Sequence, residues 1–119
     1  MQIYGYPGER VDFVSASGSA GAIFFGDSRA LVEEFFGPAH QAAGDVISYF
    51  NGAIALTFED GGVADIIVKP QLSREKIDVF QAKEKLTGLP QNELAQLPQG
   101  PGVSVEFSDR LETVTFARH

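Results

Sequence analysis

Two stretches of the chain, AIALTFEDGGVADIIV at 53–68 and GVSVEFSDRLETVTF at 102–116, carry the same alternation of apolar and polar residues. Successive side chains of a strand point to opposite faces, so this period of two marks strands with one buried face. Aligned with one gap, Ile54, Leu56, Phe58, Val63, Ile66 and Val68 pair with Val103, Val105, Phe107, Leu111, Val114 and Phe116. Asp60 pairs with Asp109 at the turn. Each stretch reads as a β-hairpin, and an isolated hairpin cannot bury its apolar face in water. Whatever else the chain does, it must cover two such faces.

The segments before the hairpins extend the similarity. In GDSRALVEEFFGP, Asp27 or Ser28 supplies an oxygen for the orphan N–H groups of a helix start. Leu31, Val32, Phe35 and Phe36 share one helical face, and Gly37-Pro38 stops the helix. DVFQAKEKLTG opens at Asp78 with Gln81 three residues on, a capping-box pattern, and closes at Thr87-Gly88. The separation from Asp27 to Gly37 equals that from Asp78 to Gly88. Between the first helix and the first hairpin, DVISYF (45–50) reads as a strand joined to the next by the turn Asn51-Gly52. Asp60-Gly61-Gly62 makes the following turn. GERVDFV (8–14) reads as an N-terminal strand and SASGSAG (15–21) as a loop. Residues 91–97 could hold a short strand, but Pro90, Pro98 and Pro101 interrupt the ladder there. The expectation is one α+β domain over 1–119, with tandem α-β-β-β units at 22–69 and 77–117. These would form one antiparallel sheet with both helices on one face.

Alternation then assigns the faces. Ile54, Leu56, Phe58, Ile66, Val68, Val103, Val105, Phe107, Val114 and Phe116 should lie under the helices. Ala53, Ala55, Thr57, Glu59, Asp65 and Ile67 should face outward, with Ser104, Glu106, Ser108, Thr113 and Thr115 from the second unit. Such a face can stay in water or receive a partner. Glu59, Asp65 and Glu106, with Thr57 between them, are the candidate partner-binding residues. Asp45 and Tyr49 extend the patch if the strand at 45–50 has the matching phase.

Net charge is −7 and there is no cysteine. The charge argues against nucleic acid, which needs clustered Lys and Arg, and fits either simple solubility, the commoner reason for such a charge, or a basic protein partner. The missing cysteine removes disulfides, thiolate metal sites and a cysteine nucleophile. MQIYGYPGERVDF lacks a basic segment followed by an apolar run, and no apolar stretch approaches a membrane span. The expected setting is the cytoplasm, without membrane contact. His40 and His119 have no carboxylate at metal-ligand spacing, so neither metal nor cofactor is expected. ASGSAG lacks the lysine of a phosphate loop and does not lead from a strand into a helix as a nucleophile elbow does. Glu33-Glu34 and Glu59-Asp60 are adjacent acids, not a pair placed across a substrate. No catalytic residue is assigned.

GAIFFGDSRALVEEFFGPA followed by AIALTFEDGGVADIIV resembles BamE/SmpA/OmlA-like domains. These share a glycine-hydrophobic segment, a serine-initiated helix, a Leu/Phe-Gly-x-Pro stop and a meander ending in an isoleucine-rich strand. The tandem form is similar to the β-lactamase-inhibitor-protein architecture and to small immunity-type proteins of bacterial polymorphic toxin systems. The match covers 21–69 and, more weakly, 77–117. The chain departs from BamE in having no signal segment and no lipidation cysteine. The resemblance implies protein binding by a sheet scaffold, without chemistry and without family-wide site residues to carry over.

The expected function is therefore a non-enzymatic inhibitor or immunity-type protein, monomeric when free, with a basic toxin as the fitting partner. The alternatives are a scaffold domain, or a small-ligand binder or enzyme with an aromatic pocket of Tyr4, Tyr6, Phe13, Phe24 and Phe25.

Overall fold

Both quoted stretches fold as hairpins. A computed structural model describes residues 1–97 and 99–118. Pro98, one of the strand-breaking prolines, and the terminal His119 lie outside the described residues. The elements in chain order are β1 (Gln2–Tyr6), β2 (Arg10–Val14), β3 (Ala20–Phe24), α1 (Arg29–Phe36), β4 (Gln41–Ala43), β5 (Val46–Tyr49), β6 (Ile54–Glu59) and β7 (Gly62–Val68). A 3₁₀ turn at Pro70–Leu72 leads to β8 (Asp78–Gln81), β9 (Glu84–Lys85), α2 (Gln91–Leu94), β10 (Val103–Phe107) and β11 (Leu111–Ala117).

The strands form two sheets, in place of the single sheet expected. One has the order β3-β2-β1-β8-β9 and the other β10-β11-β7-β6-β5-β4. All pairings are antiparallel except β1 with β8. Strand accounts for 47% of the chain and helix for 13%. The α+β reading with two helices laid on one sheet is therefore corrected to a mostly-β, two-sheet structure.

The largest difference from the expected fold lies at 78–88, which forms β8 and β9 where a helix is expected. Asp78 caps no helix there. Its Oδ1 accepts from Thr87 Oγ1 at 3.1 Å, and its N–H donates to Met1 O at 3.0 Å. The unforeseen strand β1 offers a ladder to Val79 and Phe80, both strong strand formers, and tertiary pairing overrides the local capping signal. Ala82 turns the chain at φ 53° into β9. Two further strands have no clear sequence pattern. β3 begins at Ala20, inside the segment that reads as a loop, and β4 folds back on β5. Residues 91–94 are helical, where a short strand was considered.

The hairpin alignment itself survives to the residue. Ile54↔Val68, Leu56↔Ile66 and Phe58↔Val63 are partners in the first hairpin. Val103↔Phe116, Val105↔Val114 and Phe107↔Leu111 are the aligned partners in the second. Each hairpin has a bulge immediately before its phenylalanine, Phe58 or Phe107. Both rings are half-buried, not fully buried as expected. β7 and β11 pair with Ile67 opposite Thr115, two equivalent positions, so the register is symmetric about that pair. In the other sheet Phe13 and Val79 both lie opposite Ile3. The repeated unit is thus hairpin–helix–hairpin: β2-β3-α1-β6-β7 and β8-β9-α2-β10-β11. β4–β5 is an insertion in the first half, and β1 lies between the halves.

α1 starts as anticipated at Ser28, whose Oγ accepts from Leu31 N at 3.2 Å, and ends at Gly37 with φ 88°. Of its apolar face, Val32 is buried and Phe36 packs on the core, while Leu31 and Phe35 stay exposed. Phe36 lies 5.0 Å from Phe13 and 4.9 Å from Tyr49, so the helix ties the two sheets together at one side. The inner faces of the sheets supply one core, including Ile3, Val11, Phe13, Val79, Leu56, Ile66, Val114 and Phe116.

Phe116 packs from one sheet onto Gly5 of the other, where any Cβ would fall inside the ring's van der Waals envelope. Gly5→Ala should therefore destabilise by about 1–3 kcal/mol through overpacking. Phe116→Leu should recover part of that loss in the Gly5→Ala background, a coupling that four urea unfolding curves would measure. Purely additive losses would show that the two residues do not meet.

Candidate functional site

The outer face of the six-stranded sheet follows from its register. One row across the strands is Val46–Thr57–Asp65–Ala117, the next is Ser48–Ala55–Ile67–Thr115–Ser104, and a third pairs Thr113 with Glu106. None of these side chains belongs to the buried core, whereas their strand neighbours Ile47, Leu56, Ile66 and Val114 do. The face is small, mostly polar and mildly acidic, as alternation predicts. Ala53 is an exception, fully buried just before β6.

The predicted binding residues do not form one patch. Thr57 and Asp65 are cross-strand partners. Thr57 Oγ1 donates to Asp65 Oδ2 at 2.8 Å and accepts from Asp65 N at 3.1 Å. This pair occupies the middle of the face with part of its hydrogen-bonding capacity used internally. Glu106 shares the face but lies two strands away and near the other end, about 17 Å from Asp65 by strand spacing and rise. Glu59 and Asp45 meet at a corner, where they line a cleft of about 330 Å³ with Arg29, Phe58, Asp60 and Gly61. The Phe58 N–H donates to Asp45 O at 3.0 Å, which fixes the corner's backbone. Arg29 lies 3.7 Å from Glu33 and is the only cation lining this cleft among the described residues.

Tyr49 is on the wrong side for a docking residue. β5 places Ile47 and Tyr49 inward and Val46 and Ser48 outward, and Tyr49 is fully buried. Its hydroxyl donates to Gly37 O at 2.8 Å, joining β5 to the end of α1. Burial, then the field of Glu33, pushes its phenol above the usual tyrosine range, against a smaller opposing effect of Arg29. The phase of β5 could not be fixed from DVISYF, because Val46 and Ile47 are both apolar.

The aromatic pocket suggested by Tyr4, Tyr6, Phe13, Phe24 and Phe25 does not form. Tyr4, Tyr6 and Phe24 lie on the outer face of the five-stranded sheet, where Tyr4 stacks on Phe80 at 4.5 Å and Arg10 covers Tyr6 at 4.2 Å. Arg10 is held by Asp12 and Glu9, and its hydrogen bond to Asp12 leads in raising its pKa. Phe13 is in the core.

A larger cleft, of about 620 Å³, was not foreseen. Its lining includes His40, Ser48, Phe50, Asn51 and Arg74. Asn51-Gly52 form the centre of the expected turn, at φ 60° and 84°. Phe50 also has a positive φ, 54°, which is costly for a bulky residue. Its N–H donates to His40 Nδ1 at 3.0 Å, so neutral His40 carries its proton on Nε2. No pattern signals this, since an aromatic residue is a poor predictor of left-handed backbone. Among the described residues no group of three or more His, Asp or Glu side chains could hold a metal. No described helix is long and apolar enough to cross a membrane.

Compared with protein-family models, curated proteins and solved structures, the chain has no match in any of the three.

Tyr49 gives a pH test of the inward placement. A phenol whose pKa is raised by folding contributes stability that is complete below its unfolded value of 10.0 and is lost as pH rises through the folded value. Stability should decline in that window, and Tyr49→Phe should flatten this part of the decline. The same change should cost about 1 kcal/mol at neutral pH, because Gly37 O loses its donor. Urea midpoints followed from neutral to strongly alkaline pH would show both; an unchanged alkaline slope in Tyr49→Phe would contradict the inward placement.

Proposed function

We propose that this chain is a non-enzymatic protein-binding module of the inhibitor or immunity type, acting in the cytoplasm on a basic partner such as a toxin. The observation that carries the reading is the bare outer face of the six-stranded sheet. It offers a flat, slightly acidic surface whose central pair, Thr57 and Asp65, is held rigid by its own hydrogen bonds. A preorganised surface loses little side-chain entropy on binding. The acids at its margin, Asp45, Glu59 and Glu106, carry the sign that would steer a cationic partner inward.

The three marginal acids and the central pair have different parts. Exposed charges act mainly on the rate of encounter, and salt screens them. Asp65 is half-buried and hydrogen-bonded, so covering it with a partner cation would affect dissociation more. No residue of the face is assigned a chemical step, and no cofactor is needed for such a role.

Glu59 and Glu106 are exposed and make no ion pair within 4.0 Å among the described residues. Glu59→Lys with Glu106→Lys should leave the unfolding free energy within about 0.5 kcal/mol of wild type, as surface changes usually do. The double variant should associate with a partner isolated from the native host at least about tenfold more slowly at low salt. The difference should shrink as salt is raised. Equal association rates at low salt would reject this face. Turnover of a small molecule with no protein partner recovered would reject the binding-module reading.

A further inference from the structure

The five-stranded sheet ends at β3, and this edge differs from the chain's other edges. Ser15 N–H donates to Ser19 O at 2.8 Å and Phe25 N–H donates to Glu9 O at 3.1 Å. In an antiparallel ladder these groups alternate, so odd-numbered residues of β3 face β2 and even-numbered ones face away. Phe24 confirms the phase. Its N–H donates to Asp27 Oδ2 at 2.9 Å, and its C=O accepts from Asp27 N at 3.0 Å. Ala20 and Ala22 keep both N–H and C=O turned outward with no protein partner among the described residues.

Edges left in this state are rare, because they template pairing with another chain. The remaining edges here are blunted. On β10, Val105 N–H donates to Gln99 Oε1 and Val103 pairs with Gly100, each at 3.2 Å. β9 is two charged residues and β4 is three residues long. β3 is five residues, AGAIF, without charge or proline. Beside it, on the outer face of the sheet, a hollow of about 480 Å³ is walled by Tyr4, Tyr6 and Asp12 above the small side chains of Ala20 and Ala22. Phe24, at the end of the same strand, is 48% exposed.

We propose that β3 is a strand-addition site for an extended, basic segment of a partner protein. The segment pairs with the N–H and C=O of Ala20 and Ala22 and lays a Lys or Arg side chain across Ala22 toward Tyr4 and the Oδ2 of Asp12, the Oδ1 of Asp12 and the Tyr6 ring being taken by Arg10. Main-chain pairing supplies affinity in such additions, and side-chain hollows supply selectivity. The sign of the segment follows from charge. β2, α1 and the turn between β3 and α1 carry Asp12, Asp27, Glu33 and Glu34 against Arg10 and Arg29. A second copy of the chain would bring −7 against −7 and set the same acids against each other. The site rests on the protein-binding reading but lies on the other sheet from the surface proposed above.

The test uses labelled full-length protein and a capped seven-residue peptide of alternating valine and arginine. The peptide should slow amide exchange at Ala20 and Ala22 at least tenfold. Replacing its arginines by glutamate should weaken binding at least tenfold, and so should N-methylating the peptide on the edge that faces β3. Ala22→Pro removes only an outward N–H and should weaken binding to the same degree with β2–β3 intact. If that variant does not fold, the N-methylated peptide decides on wild-type protein. Glu59→Lys with Glu106→Lys should bind the peptide as wild type does, so failure of the other face leaves this result standing. Binding without protection at Ala20 and Ala22, equal binding of the glutamate or N-methylated peptide, or no binding at millimolar peptide would overturn the proposal. So would protection of both amides without peptide in a sedimenting dimer, which would make the occupant a second copy.

Discussion

The Phe116 ring of one sheet lies so close on Gly5 of the other that residue 5 has no room for a side chain. Stacked sheets sit about 10 Å apart, so a ring reaching fully across needs an empty place opposite. The repeat shows how the volume is balanced. Phe13 and Val79 hold equivalent places beside Ile3, and Val68 and Phe116 hold equivalent places in the other sheet. Each half therefore contributes one phenylalanine and one valine, with the large residue in opposite sheets. Large against small at facing positions lets layers interlock without voids. β1 lies between the halves and is shared by both, which is why a glycine in it can serve the single ring that crosses to it.

Much of this order was legible where local chemistry and tertiary pairing agree. Asp60-Gly61 and Asn51-Gly52 accept positive φ, and the alternation on either side of them fixes register. The six apolar positions aligned between the hairpins form three cross-strand pairs at matching places in each hairpin. Ser28 was legible for the same reason, since a cap acts over three residues. The failures come from long-range pairing. Asp78 and Gln81 satisfy a local helix rule, yet Val79 is fully buried in a ladder with a strand some seventy-five residues earlier in the chain. β1 itself, QIYGY, has a glycine where a strand signal should be strongest, and only the later ring explains it. The site residues divide in the same way. Outward placement of Thr57, Asp65 and Glu106 followed from alternation, but their spacing across strands depends on register between hairpins. Tyr49 could not be oriented, and the corner of Asp45, Glu59 and Asp60 is made by a bulge.

Edges and faces follow from how the two halves were allowed to differ. In the second half, α2 has four residues and β9 two, and the segment before β10 folds back to satisfy that strand's outward groups. This half closes on itself. In the first half, α1 has eight residues and α1 ties the sheets together through Phe36. Because the helix takes over the task of closing that side, β3 need not be covered by a neighbouring strand. Its outward groups at Ala20 and Ala22 remain free as a consequence of the closure, while Asp27 limits the free stretch by capping Phe24.

The inserted β4–β5 hairpin completes the division. It adds two strands beyond β6, and with them Val46 and Ser48 of the outer face, Asp45 of the acidic corner, and His40 and Phe50 at its borders. Phe50 is the sharpest local departure from sequence preference in the chain, a bulky residue at φ 54°. A strained residue persists only where its surroundings over-determine it. Here the Phe50 N–H is held by His40 and its ring lies 6.2 Å from Phe36, so the helix that closes the sandwich also holds the strained turn. The first half holds the open edge, the acidic corner and the β4–β5 extension of the outer face, while the rest of that face continues across β11 and β10. A scaffold of this kind can be extended at one edge without loss of its core, because the buried residues lie between the sheets and come from both halves, and β4–β5 adds strands only beyond β6.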